Sequence, residues 1–196
     1  MKTGYELKFK RRREGKTNYQ KRLKLLLSRK PRVVVRRSLN NIRVQVEEYS
    51  PKGDVVKASA VSNEIRKTGW KFSTDSTPAA YLTGFLCGLR AKQAGVKEAI
   101  FDQGLYRPIS GSRLYAAVKG LIDAQLPVPA SAESFPKEER IKGSHIAAYA
   151  SKLKKENPEI YKKRFSGYLK SGADPEKFQA IFEETKEKIK RGELSK

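Results

Sequence analysis

Lys8, Lys10, Arg11, Arg12, Arg13 and Lys16 set six cations within nine consecutive positions. A run of that density cannot bury itself, and the chemistry it suits is the binding of a polyanion. Arginine guanidinium groups fork onto phosphate oxygens, and lysine ammonium groups add point charges. Gly15 gives the run a place to turn close to another backbone. Tyr5, Phe9 and Tyr19 are interleaved with the cations, and aromatic faces stack on exposed nucleobases. Arg22, Arg36 and Arg37 extend the same basic character beyond residue 16. A second candidate is YRPISGSRLY, residues 106–115, where Arg107 and Arg113 flank Ser110, Gly111 and Ser112 at an expected helix start. Backbone N–H groups at a helix start bind anions, and two serine hydroxyls add donors.

Catalytic constellations are thin. His145 is the single histidine and Cys87 the single cysteine, so there is no metal-ligand set and no Cys/His dyad pattern. Cys87 lies among apolar and small residues of an expected helix and reads as core packing. No GxxxxGK[ST] or GxGxxG phosphate loop occurs. Asp75, Asp102 and Asp123 are carboxylates at element ends that could hold Mg²⁺ for phosphoryl chemistry. Of these only Asp102, closing AIFD ahead of QGLY, is placed suggestively.

The charge balance of the 196 residues points the same way as the local run. Lys and Arg number 43 against 21 Asp and Glu, a net charge of +22. Residues 1–37 carry +13 of it, leaving +9 for the other 159. An excess of one sign repels itself in the free chain and is relieved when phosphates are neutralised and condensed counterions released. A basic arm on a milder body is therefore expected, with nucleic acid as partner. There is no apolar run of the ~18 residues that crosses a membrane, and no apolar stretch follows the N-terminal charges as in a secretory signal. The lone cysteine permits no internal disulfide, which fits a reducing compartment.

The elements that must position these groups follow from pattern. Residues 1–16 read as an irregular extended arm. Residues 17–30 read as a helix capped by Thr17 or Asn18, with Leu23, Leu26 and Leu27 on one face, ended by Pro31. The β-branched stretch 32–61 reads as three antiparallel strands, with Ile42, Val44 and Val46 facing inward. Residues 76–95 read as a helix with Thr77 as cap and Pro78 in the first position. Its line of small residues, Ala80, Gly84 and Gly88, predicts close packing on the sheet. A short strand at 97–102 and a helix capped by Ser112 follow, and the order implies a mixed α/β sheet with packed helices. Beyond 130 comes a linker-like stretch, then helices near 144–155, 158–170 and 175–191. Three segments result: 1–30, basic arm and first helix; 31–130, α/β body; 131–196, helical extension.

Four blocks together resemble one family: YELKFKRRREGKTNYQKRLKLL, DSTPAAYLTGFLCGLRAKQAG, FDQGLYRPISGSRLYAAVKGLIDAQLPVP and KGSHIAAYA. They are similar to the archaeal form of the 5S rRNA-binding ribosomal protein of the large subunit, the counterpart of the shorter bacterial eighteenth protein of that subunit. The similarity runs from residue 1 to about 155. It implies a non-catalytic fold with ribonuclease H-like topology, and so no catalytic role for Asp102. It implies a cytoplasmic protein of the large ribosomal subunit that attaches 5S rRNA in the central protuberance. The implied partners are 5S rRNA, 23S rRNA and the other 5S rRNA-binding protein, with no cofactor, DNA or membrane. The basic arm KRRREGKTNYQKR is the segment to which RNA contacts carry over, and it orders against rRNA on this reading. Rival classes sharing the charge are an RNA chaperone and an RNA-processing enzyme.

Overall fold

A computed structural model describes residue 4 and residues 6–192; Tyr5 lies outside the described residues. The arm is not wholly extended. A helical turn, α1 (Lys10–Arg13), forms within it and is closed by Gly15 at φ 64°. Helix α2 (Tyr19–Leu26) is shorter than expected. Asn18 caps it as anticipated, its Oδ1 accepting from Lys21 N at 3.2 Å. Pro31 does not end it: Ser28 Oγ donates to the Leu25 carbonyl at 2.8 Å, and Arg29 turns left-handed at φ 55°. The expected apolar face packs only in part: Leu26 is half-buried, but Leu23 and Leu27 are 62% and 75% exposed.

The three predicted strands are β1 (Arg32–Arg37), β2 (Ile42–Glu48) and β3 (Val55–Val61), paired antiparallel. Alternation divides the sheet into two faces. Val33, Val35, Ile42, Val44, Val46, Ala58 and Ala60 point into the core. Helix α3 (Thr77–Gln93) covers that face, capped by Ser76 rather than Thr77, with Ser76 Oγ accepting from Ala79 N at 3.3 Å. Strand β4 (Ile100–Asp102) returns parallel to β1, completing a mixed sheet in the order β3-β2-β1-β4. Helix α4 (Arg113–Asp123) then packs along α3. Gly84 and Gly88 serve that contact and not the sheet: a Cβ on Gly84 would overlap the Ala117 carbonyl, and one on Gly88 would meet Ala124 Cβ at 2.6 Å. Cys87 is buried as expected, donating to the Val44 carbonyl at 3.5 Å, and burial pushes its thiol up to about 12.

The C-terminal third lies on the body. The stretch expected as linker contains α5 (Glu138–Lys142), whose Ile141 enters the core. Helix α6 (Ser144–Glu156) follows. The single helix expected at 158–170 is broken at Phe165 into α7 (Pro158–Arg164) and α8 (Ser166–Lys170). Phe165 and Tyr161 turn inward onto α6 at Ala150 and Leu153, which holds the break in place. Helix α9 (Phe178–Lys190) brings Phe178, Phe182 and Ile189 into the main core. Phe178 meets Trp70 and Phe72 with ring centroids 5.4 and 4.3 Å away. Those two aromatics sit just after a 3₁₀ segment, Ser62–Thr68, that strand and helix periodicity did not signal.

Candidate nucleic-acid interface

The second face of the sheet is charged. On β1, Arg32, Val34 and Arg36 alternate with the core valines, and Arg32 stands opposite Glu47 on β2. Arg32 is 2% exposed and ion-paired three ways, to Asp102 at 2.7 Å, Asp54 at 2.6 Å and Glu47 at 3.3 Å. A buried cation is tolerated when carboxylates and hydrogen bonds replace its water. Asp102, the carboxylate singled out as a possible Mg²⁺ ligand, is thus an arginine partner; its Oδ1 also accepts from Gly104 N at 2.8 Å.

Helix α2 is fastened to this face by polar contacts, which is why Leu23 and Leu27 are left outside while Leu25 and Leu26 are half-buried. Arg22 forks onto Asp54, both nitrogens 2.8 Å from a carboxylate oxygen. Lys21 Nζ donates to the Gly104 carbonyl at 3.1 Å. The Arg22 hydrogen bonds hold the Asp54 carboxyl below its ordinary range, while burial holds Glu47 above its own. Between α2 and the sheet lies a cleft of ≈ 340 Å³, with Arg11, Lys16 and Lys21 on one side and Arg36 and Asp102 on the other.

The predicted residues fall into distinct groups. Lys8, Lys10, Arg11, Arg12, Arg13 and Lys16 are all exposed on the arm, and Tyr19 is 36% exposed at the start of α2. Within the arm, Arg11 Nε donates to Thr17 Oγ1 at 2.9 Å, Arg13 Nε to the Lys8 carbonyl at 3.1 Å, and Lys16 pairs with Glu14. Arg36 and Arg37 lie at the end of β1. Arg36 donates to the Asp102 carbonyl at 2.9 Å, and the Arg37 guanidinium sits 5.7 Å from the centre of the Tyr106 ring. Tyr106 returns a bond to the Arg37 carbonyl at 3.0 Å, and the neighbouring Arg107 is exposed. Ser110 is exposed. Arg113 is not brought to the cleft: its Nη1 binds the Asp75 carboxylate and, at 2.7 Å, the Asp75 carbonyl. Ser112 occupies the cap position of α4 without making the cap bond, since its hydroxyl finds no hydrogen-bond partner. The N–H groups of Gly111 and Ser112 are taken by the Ser134 and Ile109 carbonyls, at 2.9 and 3.2 Å.

The hub of Arg32, Glu47 and Asp54, and the anchor Lys21, escaped the sequence reading. A signal for it existed. An arginine in phase with Val34, on a strand whose other phase is Val33 and Val35, must face something that tolerates charge. The hairpin register sets Glu47 across from it.

Comparison with known proteins gives this arrangement its context. Residues 3–98 match the profile of the family described as ribosomal large subunit proteins 60S L5 and 50S L18. The large ribosomal subunit protein uL18 of Thermofilum pendens (strain DSM 2475 / Hrk 5) is 53% identical over 185 residues, which cover 94% of this chain and 94% of that protein. Likeness therefore continues past residue 155, into the C-terminal helices. An N-terminal match across the arm, the Arg32, Glu47 and Asp54 hub and strands β1 to β3, with 53% identity over 94% of the chain, makes this chain a member of the uL18 family of large-subunit ribosomal proteins.

Proposed function

We propose that this chain binds 5S rRNA and attaches it to the large subunit in the central protuberance, touching 5S and 23S rRNA and the other 5S rRNA-binding protein. The carrying observation is the exposed cationic run at 8–16, whose Arg11 and Lys16 line a cleft together with Lys21 and Arg36. On this reading labour is divided. Segment 1–30 grips phosphate, 31–130 supplies shape and selects the RNA, and 131–196 braces the body through α9. RNA is recognised largely by shape, 2′-OH contacts and splayed bases, so selectivity belongs to the body and raw affinity to the arm. Arg22, committed to Asp54, acts by holding the interface in form, whereas Arg113, bound to Asp75, and the buried Ser112 hydroxyl take no part in it.

The test is a salt titration of binding to 5S rRNA and to a random-sequence transcript. Roughly six to ten phosphate contacts give a slope of log affinity on log salt of order −5 to −9, with 5S rRNA preferred. A slope near zero rejects phosphate-driven binding. Equal affinity for both RNAs rejects the 5S assignment and favours a chaperone.

A further inference from the structure

Phe9 and Tyr19 form an aromatic corner on the arm, ring centroids 5.2 Å apart and planes inclined at 56°. The corner belongs to neither buried cluster of the described residues. Phe9 is 73% exposed and Leu7, beside it, 62% exposed. Together with Lys8 and Arg12 they line an open cleft of ≈ 340 Å³ that shares no lining residue with the cleft beside the carboxylate hub. An apolar pair held in water gains by acquiring a cover, and among the described residues neither buried cluster supplies one. The cleft's edge says what the cover is. Among the described residues Arg12 is the arginine of the triplet whose guanidinium makes no hydrogen bond to the chain, whereas Arg11 and Arg13 are both tied into the arm. Lys8 stands on the same rim, exposed. An apolar floor whose edge carries two cations, Arg12 and Lys8, against one carboxylate, Glu6, fits a ligand with a flat π face and an attached phosphate.

We propose that the Phe9–Tyr19 corner takes one unpaired nucleobase of RNA, stacked on the Phe9 ring, with its phosphate on Arg12 and Lys8. This rests on the RNA-binding reading above and deepens it, because a cationic run alone would grip paired and unpaired RNA alike. The inclined rings favour a single base: its face meets Phe9 while its edge abuts Tyr19, and a continuous stack of several bases would need parallel planes.

The experiment uses the full chain, an unstructured RNA carrying 2-aminopurine, and a fully paired duplex of equal length. The expected result is 2-aminopurine quenching on binding to the wild type. Phe9→Leu, which keeps the apolar volume and removes the ring, should weaken single-strand binding roughly 5- to 100-fold and abolish the quenching. Phe9→Trp should retain both, and duplex affinity should be the same in all three. Arg12→Ala should weaken single-strand binding with quenching intact. Equal losses on the two RNAs overturn the proposal, because the ring would then only shape the arm. Unchanged RNA affinity in Phe9→Leu overturns it too, and assigns the corner to a protein contact. Failure of the 5S assignment registers separately, as equal wild-type affinity for 5S rRNA and a random transcript.

Discussion

Asp54 accepts both Nη atoms of Arg22 at 2.8 Å and, through Oδ2, a bond from the buried Arg32 at 2.6 Å. One carboxylate in the β2–β3 connection thus joins the helix that carries the arm to the cation at the centre of the sheet's charged face.

Asp54→Asn should loosen α2 at neutral pH and cost about 1–3 kcal/mol, the range for losing hydrogen bonds to a charged group. Because Arg22 holds the Asp54 carboxyl below its ordinary 3.8, the stabilisation is fully present above that value and is lost as pH falls through the lower, folded-state value. Thermal melts of wild type and variant should therefore differ at pH 7, begin to approach one another only below about 3.8, and converge once the pH falls past the lower folded-state value. Glu47 has the opposite sign, since burial raises it above 4.5 and makes its ionisation unfavourable to the fold. Glu47→Gln should match or exceed the wild type at pH 7, and any gain should vanish below 4.5.

Arg32→Ala leaves three carboxylates facing one another without their shared cation. Breaking such a buried arrangement costs about 3–5 kcal/mol, a drop in Tm on the order of 10 °C for a chain of this size. The deficit should shrink in acid, where the carboxylates protonate. A variant that melts like the wild type at pH 7 would show that the hub is dispensable.

Gly84→Ala should destabilise by roughly 1–3 kcal/mol through overpacking, because the added Cβ overlaps backbone of α4 and not the tip of a flexible side chain. Gly95→Ala, at a left-handed helix stop with open space around it, should cost less, about 1 kcal/mol. Denaturant midpoints of the two variants give the comparison.

Phe178→Ala removes the ring that both Trp70 and Phe72 meet. A loss of about 3–5 kcal/mol is expected for a large aromatic deleted from a core. Tryptophan fluorescence should shift to the red, since Trp70 is the chain's single tryptophan.

Replacing Arg11, Arg12 and Arg13 with Ala should weaken RNA binding broadly across sequences. The salt slope should flatten by roughly 2–3, near one for each phosphate no longer neutralised. The melting transition should be nearly unmoved, because all three side chains are exposed.

The sheet was legible because its signal is local. Ile42, Val44 and Val46 alternate within one strand, and the Asn18 cap and the Gly95 stop are each written within a few residues of the helix they bound. What stayed hidden depends on distance along the chain. Trp70 and Phe72 reveal themselves as core only when Phe178 arrives from the far end. Leu23 and Leu27 carry a helical apolar stripe that ordinarily packs, but Arg22 and Lys21 on the same helix win the contact with the sheet. The cationic run was visible from composition, while the carboxylates beneath it were not, since Glu47, Asp54 and Asp102 come from three separate segments.

Because Arg22 is pinned to Asp54, everything before it swings from a fixed pivot. Lys8 lies fourteen positions ahead of that point, and a stretched chain advances at most about 3.6 Å per residue, so the leader's backbone tether is at most ~50 Å and shorter while α1 stays coiled. Any phosphate that Lys8 touches must lie inside that radius, which turns one ion pair into a yardstick for how far into a ribonucleoprotein the arm can search.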